Sequence, residues 1–180
     1  MRYFSFTKLK LIWKVIQMTS KDVEIFYNQA MKLLKKGEFK KSLELLDRAL
    51  YIDSKFIPAW NNKGVVHIEL EEYSQALDCF DQLTFLDMTD NLTWYNKGYV
   101  LLLLERYQES VKTFDFFLAK YDKKDDYYKY ALYLQAKGNY KLKEYDKSLK
   151  LLKDALNSDK SFSEAKELQS LVLKDMNENK

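Results

Sequence analysis

Bulky apolar side chains punctuate this chain at a fixed interval. An aromatic residue stands at Phe39, Tyr73, Tyr107 and Tyr145, with gaps of 34, 34 and 38 residues. Three positions after each comes a small residue (Ser42, Ala76, Ser110, Ser148), and four positions further a bulky apolar one (Leu46, Phe80, Phe114, Leu152). Three columns in one phase mark an internal structural repeat. Two phrases share that phase: AWNNKG, Ala59–Gly64, and TWYNKG, Thr93–Gly98, stand 34 residues apart. The units run 23–56, 57–90, 91–124 and 129–162, with Asp125–Tyr128 inserted before the last.

Each unit reads as two helices. In the second unit they are predicted from about Pro58 to Leu70 and from about Tyr73 to Asp87, with proline placed where its missing N–H costs nothing. The small residue lets the helices approach, the bulky one fills the space a turn later, and the aromatic covers the turn. One such hairpin cannot bury its apolar face alone, so the hairpins must stack. After the fourth unit, Ser161 and Glu164 form a capping-box pattern. Ala165, Leu168 and Val172 then make one apolar stripe at helical spacing. The polar end KDMNENK is expected to fray. The predicted fold is all-α: an α-solenoid of about four stacked antiparallel helix hairpins, followed by a capping helix and frayed tail over 163–180.

Composition agrees with helices. Four glycines and one proline in 180 residues leave little for turn-rich β architecture. Charge separates the ends. Residues 1–21 hold five bases and no acid, whereas the other 159 hold 25 bases and 27 acids. A near-neutral body lacks the basic surface that nucleic acid requires, so no nucleic-acid partner is expected. The second unit carries Lys63 against seven acids, a local lean toward basic partners.

Residues 1–22 form a basic amphipathic N-terminal extension. Its longest uncharged apolar run within LKLIWKVI is three residues, too short for a membrane span or a secretory core. Three readings stay open for it: a packed extension, an unneeded leader with Met18 as the start, and a membrane or partner contact, the last ranked lowest. Cys79 and His67 are alone of their kinds, which excludes an intrachain disulfide and a zinc site of the usual Cys/His type. Both read as packed structural side chains. The single thiol fits a reducing, cytoplasmic setting. The row Lys143, Lys147, Lys150 reads as a solvated face. No nucleophile–base constellation, phosphate-binding glycine loop or metal cluster is recognisable, so neither catalysis nor a cofactor is expected.

The phrases resemble the tetratricopeptide repeat family, whose pattern is Trp-x2-Leu-Gly-x2-Tyr, then Ala-x3-Phe, then Pro. Trp60, Gly64, Ala76 and Phe80 match it in the second unit, with His67 in place of the tyrosine; Trp94, Gly98 and Phe114 match it in the third, with Leu101 and Ser110 in place of the tyrosine and the alanine. Phe26, Ala30, Leu33, Ser42 and Leu46 follow more weakly in the first, and Leu132, Ala136, Ser148 and Leu152 in the fourth. Lys63 and Lys97 replace the leucine; Leu83 and Phe117 replace a later alanine; Ser54, Met88, Asp122 and Lys160 stand where the closing proline would.

The resemblance implies that first helices line a concave groove that binds a peptide of a partner protein. The inward positions are then Tyr27, Asn28 and Met31; Asn61, Asn62 and Val65; Tyr95, Asn96 and Tyr99; and Tyr130, Tyr133 and Lys137, with Tyr140 and Lys141 at the rim. Asn28, Asn62 and Asn96 are 34 apart. An amide both donates and accepts, so this row either pairs with a peptide backbone or bonds the neighbouring hairpin. Tyrosine supplies contact area at low entropy cost, or packs between hairpins. Family members that clamp C-terminal carboxylates use lysines, an arginine and asparagines at positions that fall here on Tyr27, Met31, Asn62, Leu92 and Asn96; only Asn62 agrees and the cations are missing, so that ligand is not expected. The expected function is a non-enzymatic scaffold, monomeric or weakly homodimeric. The alternative is a self-associating or membrane-peripheral adaptor that uses the N-terminal segment or the end faces of the stack.

Overall fold

The computed structural model describes residues 19–178. These form nine α-helices and no strand: α1 Ser20–Leu34, α2 Phe39–Ile52, α3 Ile57–Glu69, α4 Tyr73–Leu86, α5 Asn91–Leu103, α6 Tyr107–Lys120, α7 Asp126–Lys141, α8 Tyr145–Ser158 and α9 Ser163–Glu178. The four second helices, α2, α4, α6 and α8, each begin on the recurrent aromatic. The eight small and bulky residues of the other two columns are all 0 % exposed.

The small column has a second use. The Ser42, Ser110 and Ser148 hydroxyls donate to the carbonyls of Ala30, Gly98 and Ala136 at 3.0, 2.8 and 2.9 Å, each 12 residues back on the paired helix. A small side chain permits the approach, and its hydroxyl finds a buried partner there. Gly98 is held by the same approach, since a Cβ on it would lie 3.0 Å from Phe114 Cζ.

The turns inside the hairpins repeat as well. Gly37, Glu71, Glu105 and Lys143 have φ of 73, 59, 59 and 61°. The N–H of each following residue reaches back to close the helix, as in Glu72 to the His67 carbonyl at 2.8 Å and Arg106 to the Leu101 carbonyl at 2.9 Å. Three of these left-handed positions carry side chains that strain them. Glu71→Gly, Glu105→Gly and Lys143→Gly are each expected to raise the unfolding free energy by roughly 0.5–1 kcal/mol, read as a higher urea midpoint.

Thr19 starts α1, its N–H and hydroxyl donating to the Asp22 carboxylate at 2.7 and 2.9 Å. Ser20–Asp22 therefore belong to the first helix and not to the N-terminal extension. The rest of that extension, residues 1–18, and the readings placed on it lie outside the described residues. The insertion before the fourth unit lengthens a helix. Asp125 caps α7, accepting from the Tyr128 N–H at 3.3 Å, and α7 has 16 residues where α3 and α5 have 13.

At the C-terminal end the expected Ser161–Glu164 capping box gives way to other bonds. Asp159, extended at φ −147°, accepts from the Ser161 N–H and hydroxyl at 2.9 and 2.6 Å, while Glu164 takes the Ser163 hydroxyl at 2.7 Å. Ala165, Leu168 and Val172 are buried as the stripe predicts. The tail expected to fray stays helical through Glu178, with the Tyr140 hydroxyl donating to Asp175 at 2.6 Å.

The chain divides into two compact units, one ending at Cys79 and the other beginning at Phe80. The first is centred on Val23, Ala30, Leu46, Ala49, Leu50, Ala59 and Val66. In the second, Leu102, Phe114, Phe117, Ala131 and Leu134 form one cluster, and Leu132, Leu152, Phe162 and Val172 belong to another.

Candidate peptide-binding faces

The tryptophan phrase is a built device. Trp60 Nε1 donates to the Ser54 carbonyl at 2.9 Å, and Trp94 Nε1 to the Met88 carbonyl at 3.2 Å. Those carbonyls occupy the closing-proline positions, so each ring is tied to the turn that leads into its helix. Lys63 and Lys97, the departures from the family pattern, reach back to the preceding helix. Lys63 Nζ lies 2.6 Å from Asp47 and 5.4 Å from the Trp60 ring centre; Lys97 Nζ lies 2.7 Å from Asp81 and 5.4 Å from the Trp94 ring. A third instance uses an amide: Gln135 Nε2 donates to Asp115 at 2.5 Å. The repeat columns pass over Asp47, Asp81 and Asp115, although their 34-residue spacing is visible in the sequence.

In the first compact unit, Asn62 is committed to the stack. Its Nδ2 donates to the Tyr27 hydroxyl at 3.1 Å and to the Pro58 carbonyl at 2.9 Å. Tyr27 in turn sits edge-on to Phe56 at 5.3 Å, and Met31 packs against the core. Asn61 and Val65 are half-buried on α3, and Asn28 is exposed on α1. The side chains of Asn96, half-buried on α5, and of Asn28 make no hydrogen bond among the described residues. Identical spacing thus does not give the three asparagines identical use.

The second compact unit gathers tyrosines. Tyr95 meets the rings of Phe114, Phe117 and Tyr127 at 6.0, 5.6 and 5.3 Å, and burial pushes its hydroxyl up to about 12, keeping it a neutral donor. Tyr99 packs on the same core. Tyr130 and Tyr133 pack on Phe162 at 4.9 and 5.4 Å. All therefore serve the stack in part, yet Tyr127 and Tyr130 remain 45 and 36 % exposed. Lys137 and Lys141 are exposed on α7. Tyr127 falls in the insertion, which is why the repeat pattern leaves it out.

The remaining chemistry-bearing side chains are packed. His67 is buried with Nδ1 2.7 Å from Glu72. Cys79 is buried, and desolvation pushes its thiol up to about 12. Its reaction with a disulfide reagent is expected to be at least ~100-fold slower in the folded protein than in urea, read as thiolate release. Among the described residues no three His, Cys, Asp or Glu side chains converge on a metal position, and no helix is long and apolar enough to cross a membrane.

Antiparallel helix hairpins with one set of buried columns define a helical-repeat protein of the α-solenoid class. Sequence models bear on the family. The tetratricopeptide repeat model matches residues 57–87 and 93–115, and the Fis1 C-terminal tetratricopeptide repeat model matches 129–179. The chain is a tetratricopeptide repeat protein. Solved structures share its fold. MamA from Desulfovibrio magneticus RS-1, residue 41 to its end, is 17 % identical, covers 87 % of this chain and 86 % of its own, and superposes with a TM-score of 0.81. YrrB, described as a TPR protein with an unusual peptide-binding site, is 20 % identical over 84 % of this chain and 76 % of its own, with a TM-score of 0.73. A repeat protein from Parabacteroides merdae ATCC 43184 is 17 % identical over 87 and 60 %, with a TM-score of 0.73. No curated protein matches the sequence. Proteins of this family generally bind protein partners and are generally non-enzymatic scaffolds.

Proposed function

We propose that this protein is a non-enzymatic cytoplasmic scaffold, monomeric or weakly homodimeric, whose first-helix faces hold a peptide segment of a partner protein. The observation that carries the reading is the gathering of Tyr95, Tyr99, Tyr127, Tyr130 and Tyr133 on one unit, with Tyr127 and Tyr130 still open to solvent. Rings already fixed by packing lose little entropy when a ligand covers them. The peptide-binding site named for YrrB supports the reading by analogy of fold. On the same unit, Asn96 supplies an amide for a peptide backbone.

The asparagines separate stacking from binding. Selection of a displayed random-peptide library on the full chain provides ligands. Asn96→Ala is expected to weaken them roughly fivefold with the melting curve unchanged. Asn62→Ala is expected to cost about 1 kcal/mol of stability, since it removes the bond to Tyr27. A library that yields no ligand, or ligands indifferent to Asn96→Ala and to the tyrosines, refutes the proposal.

A further inference from the structure

We propose that the tyrosine face of the second unit is shaped for a cationic peptide, one that carries arginine or lysine between apolar side chains. The inference rests on the peptide-binding reading above and names the class of partner. On α9, Glu164, Glu167, Leu171, Asp175 and Glu178 follow at intervals of three, four, four and three residues, which places them in one stripe. That stripe borders the tyrosines of α7. The Tyr140 hydroxyl donates to Asp175 at 2.6 Å. Burial first, and then the nearby Glu164 and Glu167 carboxylates, raise the Tyr133 hydroxyl above its ordinary value. Leu171, 43 % exposed, adds an apolar contact between the acids.

The cations nearby do not cancel this edge. Lys129 is enclosed by Asp126 and Asp159 at 3.0 and 2.8 Å. Lys174 lies 3.9 Å from Glu178. Lys166 falls on the opposite side of α9 by helical spacing. Lys137 is exposed on α7 and opposes a cationic ligand locally. The rings themselves already accept cations: Lys129 Nζ lies 5.7 Å from the Tyr130 ring centre and 5.5 Å from that of Phe162, and Lys124 Nζ lies 3.3 Å from Tyr128. A guanidinium can therefore rest on a tyrosine ring while donating to Glu164 or Glu167. An acidic peptide would meet the same carboxylates as like charges.

The test is fluorescence anisotropy on the full chain with three labelled probes: a short alternating Leu-Arg peptide, and the same peptide with Gln or with Glu in place of Arg. The Leu-Arg probe is expected to bind about tenfold more tightly than Leu-Gln at low salt, with the advantage shrinking as salt is added. Glu164→Gln with Glu167→Gln should weaken Leu-Arg about fivefold and leave Leu-Gln unchanged, and Lys137→Ala should strengthen Leu-Arg. All three sites are exposed, so folding is not at risk. If Leu-Gln or Leu-Glu binds as well as Leu-Arg in a Tyr130-dependent manner, the inference falls and the peptide-binding reading stands. If no probe binds, and the selected peptides do not either, both fall. Leu-Arg binding indifferent to the two glutamates also overturns it.

Discussion

Phe114→Ala is expected to lower the unfolding free energy by about 4 kcal/mol, read as a lower urea midpoint at unchanged slope. Phe114 is 0 % exposed, its ring fills the space that Gly98 leaves open, and Tyr95 packs edge-on to it at 6.0 Å. Removing the ring empties a site whose walls are helices tied by the Ser110 to Gly98 bond. Those walls cannot collapse freely, so the loss belongs at the high end for a buried aromatic. Phe85 supplies the control. It is 83 % exposed at the end of α4, and Phe85→Ala is expected to stay within about 0.5 kcal/mol of the parent. Equal costs at the two positions would mean that the 34-residue columns do not build the core.

The second large effect concerns binding. Tyr99→Ala combined with Tyr130→Ala is expected to weaken the selected peptides by roughly 30- to 100-fold, since buried interface tyrosines commonly contribute about 1–2 kcal/mol each or more. Both rings also pack within the unit, against the α5–α7 core and Phe162 respectively. The alanine variants therefore need a melting curve beside the titration. Tyr130→Phe keeps the ring and loses only the hydroxyl, and should cost less than about threefold. Loss of binding in Tyr130→Phe equal to that in Tyr130→Ala would move the recognition from the ring to the hydroxyl.

Much of the fold is legible because its determinants lie in the chain at fixed offsets. Phe39, Ser42 and Leu46 and their counterparts mark where second helices start and what they bury. The predicted helices of the second repeat agree with α3 and α4 within a residue at each end. What the columns do not reveal is how polar groups divide their work. Asn28, Asn62 and Asn96 are equivalent by spacing, yet only Asn62 finds Tyr27 and Pro58, because a side-chain partner depends on three-dimensional neighbours. Lys63 and Lys97 look like departures from the family pattern until Asp47 and Asp81 are seen beside them. The Ser161–Glu164 pattern fails for a similar reason, since Asp159 competes for the serine. Tyr127 was hidden by the insertion that brings it to Tyr95.

The most direct test of the tyrosine face is amide chemical-shift mapping of the full chain titrated with one selected peptide. Tyr95, Tyr99, Tyr127, Tyr130 and Tyr133 are expected to shift together while Lys147 and Lys150 on the solvated side of α8 stay in place. Shifts confined to α6 and α8, with the tyrosine amides unmoved, would contradict peptide binding at that face.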